Sequence, residues 1–127
     1  MPFSILPSIL HPPHPAVDPE ALRALREELE WADLVRIVTL YLDSLPNRVT
    51  AIRTACAQRD GSSLARVAHP LKSASRQLGA QPLGDLCERL EQAGVAGRAD
   101  QVAEQLPALE QEVVVVQTVL RRFLENG

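Results

Sequence analysis

Cysteine, aromatic residues and histidine are all scarce in this sequence, and each shortage removes a class of protein. Two cysteines, Cys56 and Cys87, make neither a disulfide framework nor a zinc quartet. Both fall on apolar helical positions, and a reducing cytoplasm is the simplest location for them. One Trp, one Tyr and two Phe stand against abundant Leu, Ala and Val, which favours helix packing over a sandwich or barrel. No apolar run approaches the ~18 residues that a membrane span needs. Positive charge is not in excess either: 13 Lys and Arg face 16 Asp and Glu, a net charge of -3 and a pI near 5.6. Neither nucleic acid nor an anionic membrane therefore has electrostatic support as a partner. There is no glycine-rich phosphate cradle, so the chain should have no kinase activity of its own. The absence of any Glu-x-x-His pair excludes a carboxylate-type metal bundle. What is left, 127 residues of which 46% are hydrophobic, reads as one all-α globular domain.

Residues 1–17 carry no Asp, Glu, Lys or Arg and include Pro2, Pro7, Pro12, Pro13 and Pro15. That density forbids a regular helix, leaving a proline-rich apolar arm. It lacks the basic leader and small-residue cleavage site of a secretory signal. Its Phe3, Ile5, Leu6, Ile9 and Leu10 could dock on the rest of the chain, form a weak homodimer with a second copy, or stay free. The ordered domain is expected over 18–127. It opens at Asp18-Pro19-Glu20, where Asp18 can cap and Pro19 suits the first helical position. A short helix follows, burying Leu22, Leu25 and Leu29, with Trp31 anchoring the turn into the next. From Asp33 to about Arg59, Leu34, Val38, Tyr41, Leu45, Val49, Ile52 and Cys56 repeat at threes and fours, with a bend expected at Pro46.

After Asp60-Gly61-Ser62-Ser63, a capping sequence, Leu64, Ala68, Leu71, Ser75 and Leu78 form a heptad seam. Gly79 closes this helix in the left-handed conformation and Pro82 opens the next, which buries Leu83, Leu86, Cys87 and Leu90 and stops at Gly94. So short a connection makes the two helices antiparallel neighbours. A last helix runs from Gly97 to about Glu125, kinked at Pro107, with Ala99, Val102, Leu106, Leu109, Val113, Val116, Leu120 and Phe123 inward. The run Val113–Val116 has strand propensity, but its flanks are helical and no partner strand is available. The expected fold is an antiparallel up-down four-helix bundle, capped by the short first helix and preceded by the arm.

Three histidines are present. His11 and His14 lie in the arm as HPPHP, where nothing fixes a ligand geometry. His69 points more than a quarter turn away from the seam of its helix and shares a face with Arg66, Lys72, Ser73 and Arg76. Between Asp60 and Asp85 there are cations and no acid, a local basic patch suited to an anionic group. On spacing alone the alternative is a solvated helix surface that carries one histidine. Glu91 adds a geometric argument: it lies as far beyond the expected turn as His69 lies before it, so the two stand at nearly equal height on adjacent helices and can meet.

The block A68-H69-P70-L71-K72-S73-A74-S75, then L78-G79-A80, L83 and L86-C87-x-x-L90-E91, resembles the histidine-containing phosphotransfer (HPt) domain of multistep two-component phosphorelays. The likeness extends loosely over 18–125 and is specific in the block 68–91. It implies that His69 accepts a phosphoryl group from a receiver-domain phospho-aspartate and passes it to another response regulator. A neutral imidazole is a nucleophile near neutral pH. Lys72 would neutralise phosphoryl oxygens, with Arg76 a further contact, and Glu91 would orient the His69 ring. Arg66, Pro70 and Ser73 would border the receiver's approach. Two positions depart from the family pattern. Ser73 replaces the usual glycine, narrowing the approach by a hydroxymethyl group, and Pro70 cannot donate to the Arg66 carbonyl.

The chain would then be a relay intermediate rather than an enzyme, with response-regulator receivers and a hybrid histidine kinase as partners. It would need no cofactor of its own, since no carboxylate cluster surrounds His69, and any Mg²⁺ would belong to the receiver. Beginning at Met1 and stopping just after the last helix, it reads as a free-standing shuttle. An apolar rim near the end of the first helix, Pro70 and Leu71 is the expected docking contact. The alternative from another class is a helical adaptor that binds a receiver through the same face without transferring phosphate.

Overall fold

The computed structural model describes residues 15–126, so most of the arm, with the docking and dimer roles considered for it, lies outside the described residues. Five helices follow one another: α1 (Pro19–Glu28), α2 (Trp31–Ala57), α3 (Gly61–Gln77), α4 (Gln81–Val95) and α5 (Ala99–Glu125). No strand occurs among the described residues, Val113–Val116 being helical throughout. The four long helices form an antiparallel bundle in which α3 packs most extensively on α4, α4 on α5, and α2 on both α3 and α5.

Local chemistry sets the helix ends. The Asp18 carboxylate accepts from the Glu20 backbone N–H at 2.9 Å, and Asp60 does the same for Ser63 at 3.0 Å, each satisfying an orphan donor. Gly79, at φ +84°, ends α3 in the conformation that an L side chain resists. A Cβ there would also lie 2.7 Å from that of Ala21. Gln81 rather than Pro82 is the first residue of α4, and that helix continues past Gly94 to Val95. Helices α2, α3 and α5 run without interruption through Pro46, Pro70 and Pro107.

The core follows the expected seams, with Leu34, Leu45, Leu64, Leu71, Leu90 and Leu109 fully buried, each contributing about 1.5–3 kcal/mol. Leu25, Leu29, Leu86, Leu106 and Phe123 are half-buried rather than inside, and Ala99 is exposed, because they lie at the flanks or ends of their stripes. Trp31 is the first residue of α2 rather than part of the turn. Its ring meets Phe123 edge-on at 5.4 Å, with the Arg26 guanidinium 4.5 Å above it, so α1 is pinned across one end of the bundle. Val17, assigned to the arm by sequence, is buried with the core. Both cysteines are free, and burial pushes the Cys87 thiol up to about 12. No helix among the described residues is long and apolar enough to cross a membrane.

Ser75 is the buried polar side chain of this core, and its hydroxyl meets that of Tyr41 at 2.7 Å. This bond ties α2 to α3 in a region where water cannot replace either partner. Tyr41→Phe and Ser75→Ala should each cost about 1–3 kcal/mol, because each leaves the other hydroxyl buried and unpaired. The double variant should cost less than the sum, which a urea-denaturation double-mutant cycle would read directly.

Candidate functional site

Residues 66, 69, 70 and 73 recur at three and four along α3, and all four side chains are exposed. That is the outward face of a helix whose opposite stripe, Leu64, Ala68, Leu71 and Ser75, is buried. His69 is therefore a surface residue, with 59% of its side chain accessible. Leu71, which the sequence placed near the docking rim, is wholly buried. It belongs to the seam and cannot touch a partner, whereas Pro70 can.

Across the α3–α4 hairpin, His69 Nδ1 lies 2.9 Å from Glu91 Oε2. The other oxygen of the same carboxylate accepts from Lys72 Nζ at 2.6 Å. Glu91 is thus shared by two α3 side chains one turn apart. The Lys72 hydrogen bond, and then that of His69, hold its carboxyl below the usual glutamate range against the opposing effect of partial burial. An ionised carboxylate only accepts, so Nδ1 must carry the proton of this contact. In the neutral ring the lone pair then sits on Nε2, which makes no hydrogen bond among the described residues. The arrangement presents an exposed, correctly oriented nitrogen nucleophile with a carboxylate behind it and an ammonium beside it.

The structure places the other predicted residues unequally. Lys72 is only 15% accessible and is anchored on Glu91, one turn beyond His69. Arg76 is committed elsewhere: its guanidinium bonds Asp85 at 3.1 Å and Glu88 at 3.3 Å. It is not turned toward His69 in this structure, which corrects the expectation of a free phosphate contact. The Arg66 guanidinium reaches back to the Ser63 hydroxyl at 3.0 Å and has no acidic partner among the described residues. Ser73 is exposed. The basic patch is therefore partly neutralised by acids of α4 that a reading of α3 alone does not see.

Asp85 and Glu88 were missed, although the signal existed. The hairpin register that sets His69 opposite Glu91 also brings Arg76 to the start of α4. The fit there is tight: a Cβ on Gly84 would come within 2.7 Å of Arg76 Cγ. Among the described residues no group of three or more His, Cys, Asp or Glu is placed to hold a metal ion. A cavity of about 510 Å³ lies at the other end of the bundle, lined by Cys56, Gly61, Leu64, Gly94 and Val102 among others, and His69 is not part of it. An exposed helix face that lines no cleft among the described residues suits a protein partner better than an enclosed small-molecule substrate.

Because the folded chain holds the Glu91 proton less tightly than the unfolded one, the carboxylate's stabilising contribution is full above the unfolded value, near ~4.3 for glutamate. It drains away as pH falls through the lower folded value. Wild-type protein should therefore lose stability more steeply than Glu91→Gln as pH falls from about 5 to about 3. Thermal melts across that range check this, and parallel curves would contradict it.

Comparison with known proteins bears on this site. The family model of the HPt domain matches residues 36–125, a span that includes His69, Lys72 and Glu91. No curated protein sequence matches the chain. Among solved structures, histidine-containing phosphotransfer protein B (HptB) from Pseudomonas aeruginosa PAO1 is similar at a TM-score of 0.83 and 21% identity, over 89% of this chain and 97% of that one. The HPT domain of the Hpt sensor hybrid histidine kinase from Shewanella is similar at a TM-score of 0.72 and 23% identity, over 88% and 96%. At such identities the likeness is one of fold. The family match spans well over half of the sequence and falls on the helices that build the site, and the chain belongs to the HPt domain family.

Proposed function

We propose that this protein is a phosphorelay intermediate in which His69 accepts a phosphoryl group from the phospho-aspartate of a receiver domain and passes it to a second response regulator. The observation that carries this reading is the 2.9 Å contact between His69 Nδ1 and Glu91, which leaves Nε2 exposed as the nucleophile. In the transfer, the Nε2 lone pair forms a bond to phosphorus. The bond from phosphorus to the aspartyl oxygen breaks, and its electron pair returns to the receiver's carboxylate. Nε2 carries no proton to be lost, while Nδ1–H stays on Glu91, whose negative charge offsets the positive charge gained by the phosphorylated ring. Lys72, beside the ring, neutralises charge on the phosphoryl oxygens. Arg66 and Ser73 border the approach, and Ser73 sets how closely the receiver can come. The Mg²⁺ of the reaction belongs to the receiver.

The partners in this reading are response-regulator receivers and an upstream hybrid histidine kinase in the cytoplasm. The chain supplies no nucleotide chemistry. The deciding experiment offers purified protein a panel of receiver domains phosphorylated with acetyl phosphate. Wild type should acquire acid-labile label and His69→Gln none, with an unchanged helical circular-dichroism spectrum. Lys72→Ala should slow transfer by on the order of 10²-fold, as loss of a charge-stabilising donor does elsewhere. Receiver binding without label on any arm would instead establish a non-transferring adaptor.

A further inference from the structure

Pro70 follows His69 directly, inside α3 and exposed. Proline has no N–H, so the Arg66 carbonyl, four residues earlier, loses the donor that closes each turn of an α-helix. The helix nevertheless continues unbroken from Gly61 to Gln77. The backbone does not escape the defect by ending there. Helical carbonyls point toward the C-terminus, so the Arg66 oxygen is aimed at the level of His69 and Pro70. Its own side chain does not cover it, because the guanidinium is turned back to Ser63. Residues 66, 69, 70 and 73 form one exposed stripe, which places this oxygen beside the nucleophile on the face that a partner must approach.

The surrounding groups say what such an oxygen would bind. Arg66 presents donors, and the carboxylate of Glu91 is already engaged by His69 and Lys72. The freed carbonyl adds a backbone acceptor to those that His69 Nε2 and the Ser73 hydroxyl offer on this face. Water fills that role in the isolated protein, and a well-placed N–H can replace it. We propose that the Arg66 carbonyl, released by Pro70, is a docking acceptor for an N–H of the receiver domain, with the Pro70 ring as the apolar contact beside it. The pair thereby helps to decide which receivers engage His69 productively. This rests on His69 being the phosphoacceptor.

Pro70→Ala restores the helical donor and occupies the carbonyl internally. Alanine is the stronger helix former, so folding is not at issue. Three readouts are combined: transfer kinetics from the best receiver of an acetyl-phosphate-charged panel, phosphorylation by phosphoramidate, and the Arg66 ¹³C carbonyl shift during receiver titration. The expected result for Pro70→Ala is a KM for the receiver raised about three- to tenfold, the effect of one hydrogen bond, with kcat little changed. Phosphoramidate, which needs no docking surface, reads the intrinsic reactivity of His69 in each protein, and the receiver KM should change by more than that reactivity does. The Arg66 carbonyl resonance should move on receiver binding in wild type and stay still in the variant. Equal KM values with a stationary wild-type Arg66 carbonyl would overturn the inference while leaving the relay role intact. Wild-type protein that takes no label from any receiver or from phosphoramidate would instead remove the relay role, and this inference with it.

Discussion

The site depends on the register of the α3–α4 hairpin, and that register is held at both ends. At the turn, Gly79 adopts φ +84°, its carbonyl accepts from Asp18 N–H at 2.9 Å, and Ala80 N–H returns to the Ser75 carbonyl at 2.8 Å. At the open end the two helices approach so closely that a Cβ on Gly61 would meet the Gly94 carbonyl oxygen. Between these fixed points the helices are packed seams of Leu, Ala and Cys with little freedom to slide. A carboxylate on α4 can therefore be delivered to a particular ring nitrogen on α3, which a flexible pairing of two surface side chains could not achieve. One slipped residue would turn Glu91 away from the ring.

The electrostatics of the site follow from that placement. A lone surface ion pair contributes little, but Glu91 is shared between an imidazole and an ammonium and is only 21% accessible. It is both kept ionised and kept oriented. The same acid sets which ring nitrogen stays free: holding Nδ1 leaves Nε2 without a partner among the described residues. Arg76 shows the converse case. Its guanidinium is bonded to Asp85 and Glu88, which retain it at the turn end of the hairpin. In that position it bridges α3 to α4 and supports the register on which the site relies.

Pro70 adds a local irregularity to this frame. A proline inside a helix costs a hydrogen bond and strains the turn before it, so the surroundings must hold the helix together. Here Ala68 and Leu71, on either side of the His69-Pro70 pair, are wholly buried, and α3 is clamped by α2 and α4. The missing hydrogen bond therefore falls on the exposed side of α3, beside His69.

Sequence alone determined the helices, the seams and the turn, because each is governed by short-range chemistry: apolar spacing at threes and fours, Asp18 as a cap, a capping sequence at 60–63 from which the structure selects Asp60, Gly79 where a left-handed residue was required. It also determined that His69 faces outward, and, by counting from the turn, that Glu91 can reach it. Tertiary structure alone decided how the charges are shared. Whether Lys72 stands free or rests on Glu91, and whether Arg76 turns to His69 or to Asp85 and Glu88, depends on competition between partners from different helices. The Tyr41–Ser75 bond and the half-buried rank of Leu86 and Leu106 likewise depend on where neighbouring helices come to lie. One helix's periodicity carries no information about the distance from its side chains to those of another, and charge pairing is settled by that distance.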